Sequence, residues 1–337
     1  MNESSARAVP VGGASMNRAA LKSLRVVVIA GGWSDEREIS LGSATECRQA
    51  LLDAGFAVVD LLDLADARFL NSLTGGHYDV AFVAMHGRYG EDGCIQGLLE
   101  ILHMPYTFSG VSASAVATEK ELAKAVYAAA HIRTPRGIDL APRATLTDEQ
   151  VDALVGALGL PLFVKPASNG SSFGISRVTE RAQLPAALAT AGAGGGRILV
   201  EECVEGMEIT VPVMGNEDAH ALPIVEIVTG ADFYDLKVKY EPSAMHHVIP
   251  ARLEPGVYAK AQELAVRAHR ALGCRGCSRS DFIVTDQGEP VILETNTIPG
   301  MTAVSLLPDS ARHGGVEFPE LCTRFIEYAL EAAEKSI

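Results

Sequence analysis

Residues 279–296 read Arg-Ser-Asp-Phe-Ile-Val-Thr-Asp-Gln-Gly-Glu-Pro-Val-Ile-Leu-Glu-Thr-Asn. Two apolar runs flank an Asp-Gln-Gly-Glu turn, which is the pattern of a β-hairpin. A turn centred between Gln287 and Gly288 sets Asp281 opposite Glu294. Alternation with period two then puts Arg279, Asp281, Glu294 and Asn296 on one face. Two carboxylates facing each other across a ladder repel. A divalent cation between them removes that penalty, and Asp, Glu and Asn oxygens are hard ligands suited to Mg²⁺ shared with substrate phosphates. The alternative is an exposed hairpin face. A second segment, Lys165-Pro-Ala-Ser-Asn-Gly-Ser-Ser-Phe-Gly174, places a lysine on a strand end. The hydroxyl-bearing loop after it offers backbone N–H groups to an anion. Taken alone, this segment reads equally well as a surface loop.

Other phosphate and metal chemistries are excluded or weak. The P-loop pattern GxxxxGK[ST] and the dinucleotide spacing GxGxxG are both absent. Gly31-Gly32 follows a strand without a third glycine in register, and the 192–196 glycine run precedes a strand instead of following one. Cys274-Arg-Gly-Cys277 has no second Cys/His pair at finger-like spacing, so neither a zinc nor a redox role is expected. The net charge of −14 argues against nucleic-acid binding, which needs a basic surface. It leaves room for a local basic pocket that takes a phosphorylated small molecule. No apolar run approaches the length that spans a bilayer, and no secretory signal is expected. Six scattered cysteines fit a reducing cytoplasm.

The elements that must hold these residues follow from periodicity. Residues 1–22 read as a loose tail. Strands at Leu24–Ala30, Ala57–Leu62 and Asp79–Ala84 alternate with helices at Ile39–Ala54 and Ile95–Leu102, which predicts a doubly wound parallel sheet over 23–115. A helix over Glu119–Ala130 opens a central unit, 116–207. Its strands are Leu162–Lys165 and Ile198–Glu202, around a helix at 181–191. From 208 to 337 strands dominate (Ile209–Val213, Leu222–Val228 and the hairpin), with helices at 257–272 and 317–334. The expected class is α/β followed by α+β.

These pieces, in this order, resemble the ATP-grasp superfamily and, within it, the D-alanine–D-alanine ligase family. The resemblance runs from about Arg25 to the last helix. It rests on Gly31-Gly-Trp-Ser-Asp-Glu-Arg-Glu-Ile-Ser-Leu41, His86-Gly-Arg-Tyr-Gly-Glu-Asp-Gly93 with Gln96-Gly97, and Lys165–Gly174. Further on it rests on Phe233-Tyr-Asp-Leu-Lys-Val-Lys-Tyr240 and Glu294-Thr-Asn-Thr-Ile-Pro-Gly-Met-Thr302 with Ser305-Leu306. It implies ATP-grasp architecture and nucleotide-binding roles for Lys120, Lys165, Glu201, Val204 and Glu208, with Lys239 reaching the ATP phosphates. Asp281, Glu294 and Asn296 match ligands for two Mg²⁺ (or Mn²⁺) ions. Glu36 matches the carboxylate that holds the ammonium of the first D-alanine. Ser171 and Tyr240 match the partners linking Glu36 to a lid over 231–250. His86, Arg279, Gly300, Ser305 and Leu306 match substrate-site positions. Ala303-Val304 departs from the polar or aromatic residue that many members carry there, and Trp33 is an unusual side chain for the first loop.

The implied reaction is ligation of two D-alanines through an acyl phosphate, in the cytoplasm, by a homodimer with no nucleic-acid or membrane partner. Arg279 and the Gly300 N–H would serve as oxyanion donors. Two alternatives stay open at this point. One is a ligase joining D-alanine to D-serine, D-lactate or a specialised amino acid. The other is a nucleotide-sensing homologue without turnover, against which the intact Lys165, Arg279, Asp281, Glu294 and Asn296 argue.

Overall fold

The computed structural model describes residues 17–168, 174–229 and 245–335. The chain enters through α1 (Arg18–Lys22), whose first turn is capped by the Asn17 side chain and whose Leu21 is buried. Arg18 pairs with Glu320, and the Lys22 carbonyl accepts from Ala57 N–H. The stretch 17–22 is therefore tied down, not the loose end of a tail, because one apolar side chain found a core.

Next come β1 (Arg25–Ala30), α2 (Arg37–Asp53), β2 (Val58–Asp63), α3 (Phe69–Gly75) and β3 (Val80–Val83), followed by α4 (Cys94–Ile101) and α5 (Val111–Thr118). The three strands form a parallel sheet in the order β2-β1-β3, as the β-α alternation predicts. Residues 26–30 are fully buried, the signature of a parallel strand covered on both faces.

After α6 (Lys120–Ala129), a second, antiparallel sheet is built from β4 (Gly137–Leu140), β5 (Leu162–Pro166), β6 (Ser176–Val178) and β7 (Ile198–Glu202), in the order β4-β7-β5-β6. Helices α7 (Asp148–Leu158) and α8 (Leu184–Ala191) close its core with Leu154, Leu158, Leu184 and Leu188. The capping box Thr147–Gln150 fixes the start of α7.

The third sheet is antiparallel too. It uses β8 (Met207–Met214), β9 (His220–Ala221), β10 (Val225–Thr229), β11 (Met245–Val248), β12 (Cys277–Val284) and β13 (Pro290–Asn296), in the order β11-β10-β8-β12-β13 with β9 on β8. The strand expected to start at Leu222 begins at Val225, after Pro223, which has no N–H to give a ladder. Helix α9 (Pro255–Leu272) buries Ala261, Leu264, Ala265 and Ala268 on this sheet, beside residues of α5 and α6. The chain closes with α10 (Leu306–His313) and α11 (Phe318–Glu334).

Helix α11 meets the turn after β8 through Tyr328 and Glu331, which hold Asn216, but buries most of its apolar face elsewhere. Leu321, Cys322, Phe325 and Ile326 join the core of the first, parallel sheet. Phe325 lies 6.4 Å from the Phe82 ring and 5.0 Å from Phe108, which meets Phe82 edge-on at 5.6 Å. Removing a buried ring from such a cluster costs about 3–5 kcal/mol. Phe325→Ala is expected to lower the denaturant midpoint accordingly, and a loss under about 1 kcal/mol in a urea titration would detach α11 from the first core.

Candidate active site

The hairpin β12–β13 carries the acidic face, and a single extra residue decides which way that face points. Near the turn the partners are Val284–Pro290, Ile283–Val291 and Phe282–Ile292, so the turn centres on Gln287 and not between Gln287 and Gly288. Left uninterrupted, that register would pair Glu294 with Ser280 and aim it at the core. A bulge at Leu293 shifts the register by one. Asp281 then faces Glu294 and Arg279 faces Asn296, as the sequence pattern required. Thr295 takes the core side, where its hydroxyl bonds Ser280 Oγ at 2.8 Å and receives Tyr127 Oη at 2.8 Å.

Above this face lies a cavity of ≈ 560 Å³. Arg279, Asp281 and Glu294 line it from below. Lys165, Glu201, Val204 and Glu208 line it from β5, β7, the connection after β7 and the start of β8, with Lys120 entering from α6 and Leu306 from α10. The predicted nucleotide and acidic residues therefore surround one space, although they come from different sheets. Phe163, Met207, Ile209 and Leu293 supply apolar wall, a surface against which a planar ring can lie.

The charges are paired in alternation. Arg279, itself 8% exposed, donates from Nε to Asp281 Oδ1 at 3.1 Å and from Nη2 to Oδ2 at 3.0 Å. Asn296 Nδ2 donates to Asp281 Oδ2 at 3.3 Å, and Thr210 donates its hydroxyl to Oδ1. Lys120 Nζ meets Glu294 Oε2 at 3.0 Å. Burial disfavours the Lys120 ammonium, yet the carboxylates around it, Glu294 foremost with Glu201 and Glu91, together lift its pKa above the ordinary lysine value. Glu201, 3% exposed, sits between Lys165 at 2.5 Å and Lys124. Burial alone would raise its pKa, and the two ammoniums hold it below the usual glutamate value.

Among the described residues no three His, Cys, Asp or Glu side chains form a metal-binding group. Asp281, Glu294 and Asn296 offer two carboxylates and an amide on one hairpin face. Their oxygen-only chemistry, and an acidic pair held face to face across a ladder, fit a hard divalent cation.

Of the remaining predicted substrate-site residues, Glu36 and His86 lie on the loops that follow β1 and β3. Glu36 precedes α2. A methyl group on Gly87, whose φ is +69°, would lie 2.7 Å from Glu36 Oε2, so the two predicted loops are in contact. Ser34 Oγ donates to the His86 carbonyl at 2.9 Å. The buried His86 ring is held by Ser43 Oγ at 3.4 Å and Glu91 Oε1 at 3.3 Å. Trp33 is exposed and meets Tyr89 edge-on. Gly300 and Ser305 lie together in a turn where Thr302 bonds the Ser305 hydroxyl at 2.7 Å. Ser305 leads directly to Leu306 on the cavity wall. Ser171, Lys239 and Tyr240 lie outside the described residues.

Sequence reasoning missed Lys124, Thr210 and the Leu293 bulge. A signal for Lys124 was present: it stands four residues after Lys120 on one helix, hence on the same face. A bulge without glycine leaves no such mark.

Known proteins match this arrangement. The family description "D-ala D-ala ligase C-terminus" fits residues 137–327, and "D-ala D-ala ligase N-terminus" fits 63–109. The chain belongs to the D-ala D-ala ligase family. Among curated members of the family, the D-alanine–D-alanine ligase of Desulforamulus reducens is 42% identical over 92% of this chain and 99% of its own. That of Polaromonas naphthalenivorans is 44% identical over 91% and 94%. Among solved structures, the Bacillus anthracis ligase complexed with ATP superposes with a TM-score of 0.81 at 29% identity, covering 94% of this chain and all of that one. The Coxiella burnetii ligase gives 0.79 at 29% identity, over 94% and 96%. These likenesses carry the ATP-grasp fold for the whole described molecule.

One electrostatic clamp sets the first loop of this ligase-family site. Asp63, at the end of β2, accepts from Arg37 and from the backbone N–H groups of Gly32 and Ala65. The Arg37 guanidinium holds its pKa down to about 2, against burial. Because the folded value lies below the ordinary ~3.9, this interaction contributes fully above about pH 4 and is lost as pH falls toward 2. Asp63→Asn is expected to melt below wild type at neutral pH, with the gap closing between about pH 4 and pH 2. A gap that stays constant in thermal melts across that range would remove the ion pair as its cause.

Proposed function

We propose that this protein joins two D-alanine molecules into D-alanyl-D-alanine, consuming ATP and releasing ADP and phosphate, to supply peptidoglycan precursors. The observation that carries this reading is the cavity where lysines from α6 and β5 meet the acidic hairpin face, in a chain of the D-ala D-ala ligase family. The ATP named for the Bacillus anthracis ligase supports the nucleotide assignment.

A carboxylate is a poor acyl donor, so the first D-alanine carboxylate takes the γ-phosphoryl group of ATP and ADP leaves. Lys120 and Lys165, with Lys239, offset charge on the triphosphate, and catalysis by positioning and charge suits phosphoryl transfer. Asp281, Glu294 and Asn296 would hold Mg²⁺ (or Mn²⁺) as two ions, which when bound neutralise phosphoryl oxygens. Glu36, beside the His86 loop, receives the ammonium of the first D-alanine. The neutral amine of the second then attacks the acyl carbon, the carbonyl oxygen takes the charge, and phosphate departs. Arg279 and the Gly300 N–H donate to that oxyanion. The family resemblance assigns Ser171 and Tyr240, outside the described residues, to a link between Glu36 and a lid that keeps water from the acyl phosphate; the end of the expected 231–250 lid is instead strand β11, Met245–Val248. Free thiols at all six cysteines support the cytoplasm as its compartment. The family resemblance adds a homodimer as the expected assembly.

Incubation with ATP, Mg²⁺ and D-alanine is expected to yield ADP, phosphate and the dipeptide, identified by mass. EDTA should stop turnover and excess Mg²⁺ or Mn²⁺ should restore it. ATP hydrolysis without dipeptide, or undiminished turnover in EDTA, would overturn the assignment. Gly87→Ala crowds Glu36 and strains a left-handed backbone position. It is expected to raise KM for D-alanine at least about tenfold, equivalent to ~1.4 kcal/mol. An unchanged KM would place the first amino acid elsewhere.

A further inference from the structure

The buried Glu201 carboxylate carries more counter-charge than it needs. Lys165 reaches Oε2 at 2.5 Å and Lys124 bonds Oε1, so two ammoniums serve one anion. The two lysines approach from different sides. Lys165 and Glu201 line the cavity, whereas Lys124 is not among its wall residues and spends another N–H on the Pro135 carbonyl at 2.6 Å. Room for this arrangement is made at β4. A methyl group on Gly137 would lie 3.1 Å from Lys124 Nζ and 3.0 Å from Glu201 Cγ.

A phosphate entering the cavity competes with Glu201 for the Lys165 ammonium. If Lys165 were the sole partner, every shift toward phosphate would strand a carboxylate that is 3% exposed, and an uncompensated buried charge is strongly unfavourable. Lys124 removes that obstacle, because it stays on Glu201 whatever Lys165 does. We propose that Lys124 is a positioning residue of the nucleotide site, the standing counter-ion of Glu201 that frees Lys165 to share its ammonium with a nucleotide phosphate. The inference rests on the ATP reading above and adds to it a residue that touches neither nucleotide nor metal.

A plain field effect would also weaken ATP binding when Lys124 is neutralised, since a positive charge near the cavity disappears. The two accounts differ in their dependence on Glu201. In the sharing account Lys124 matters because Glu201 is charged, so the two sites are coupled; in the field account their effects add.

The experiment measures ATP affinity by calorimetry, together with KM for ATP and kcat, for wild type, Lys124→Met, Lys124→Arg, Glu201→Gln and Lys124→Met/Glu201→Gln. Lys124→Met is expected to weaken ATP about tenfold or more with kcat at saturating ATP changed less than about threefold. Lys124→Arg should restore most of the affinity, because it keeps the charge. Adding Lys124→Met to Glu201→Gln should cost less than about twofold. Should Lys124→Met fail to fold, the Glu201→Gln pair alone decides, since its buried site holds no carboxylate to strand. Equal losses in the charged and amide backgrounds, or an unaltered affinity in Lys124→Met, would overturn the sharing role while leaving the ATP reading intact. A wild type that does not bind ATP overturns both.

Discussion

A β-strand has two faces, and the acidic hairpin must present its chemistry on one while closing a core with the other. Asp281 and Arg279 alternate with Phe282 and Ser280, so β12 meets that demand without adjustment. On β13 it is met only because Leu293 is an extra residue. Without it Glu294 and Asn296 would turn inward, and Thr295 would lose Tyr127 and Ser280. The carboxylate pair, the Lys120 bridge and the contact of Asn296 with Asp281 all follow from that one-residue shift. A bulge at this point is a designed feature of the ladder, of the kind found where a strand must re-aim a side chain.

Charge pairing is the second constraint. The cavity gathers Glu201, Glu208, Asp281 and Glu294 with Lys120, Lys165 and Arg279 in a chain whose net charge is −14. Carboxylates outnumber cations even on this wall, so its lysines and Arg279 are held in place by acidic neighbours. Apart from Arg279 and Asp281, which pair along β12, the paired groups are held by a neighbour from a different strand or helix, as with Lys120 of α6 on Glu294 of β13. The sheets thus need not be continuous with one another for the site to be built.

Much of this was legible in the sequence because the signals were local. The run Val26–Ala30 closed by Gly31-Gly32 marked a buried parallel strand, and the alternation around Asp281 and Glu294 marked a shared face. The contact of the Glu36 loop with the His86 loop was not local and came through resemblance alone; Gly87 now gives it a steric reason. The Leu293 bulge escaped because the unbroken apolar run Pro290–Leu293 hides a missed alternation. The turn position was misjudged by the same half-residue that the bulge returns, so the facing pair was right while the hairpin drawn around it was not. Helix α7 announced itself through Thr147 and Gln150, and was passed over beside the proline-rich approach at 135–142.

Helix α11 completes a core begun some three hundred residues earlier: Phe325 fills the space between Phe82 and Phe108, and Glu320 holds Arg18. A ribosome delivers the parallel sheet long before it delivers that ring. Through most of synthesis the apolar flank of β3 therefore stands without its native cover, which is the condition in which a nascent domain attracts chaperones or sticks to its neighbours. The loop to be closed spans 302 residues between Arg18 and Glu320, and contacts of such sequence separation slow folding. Final assembly of the first domain is thus a late event, tied to the emergence of α11 and not to that of its own strands.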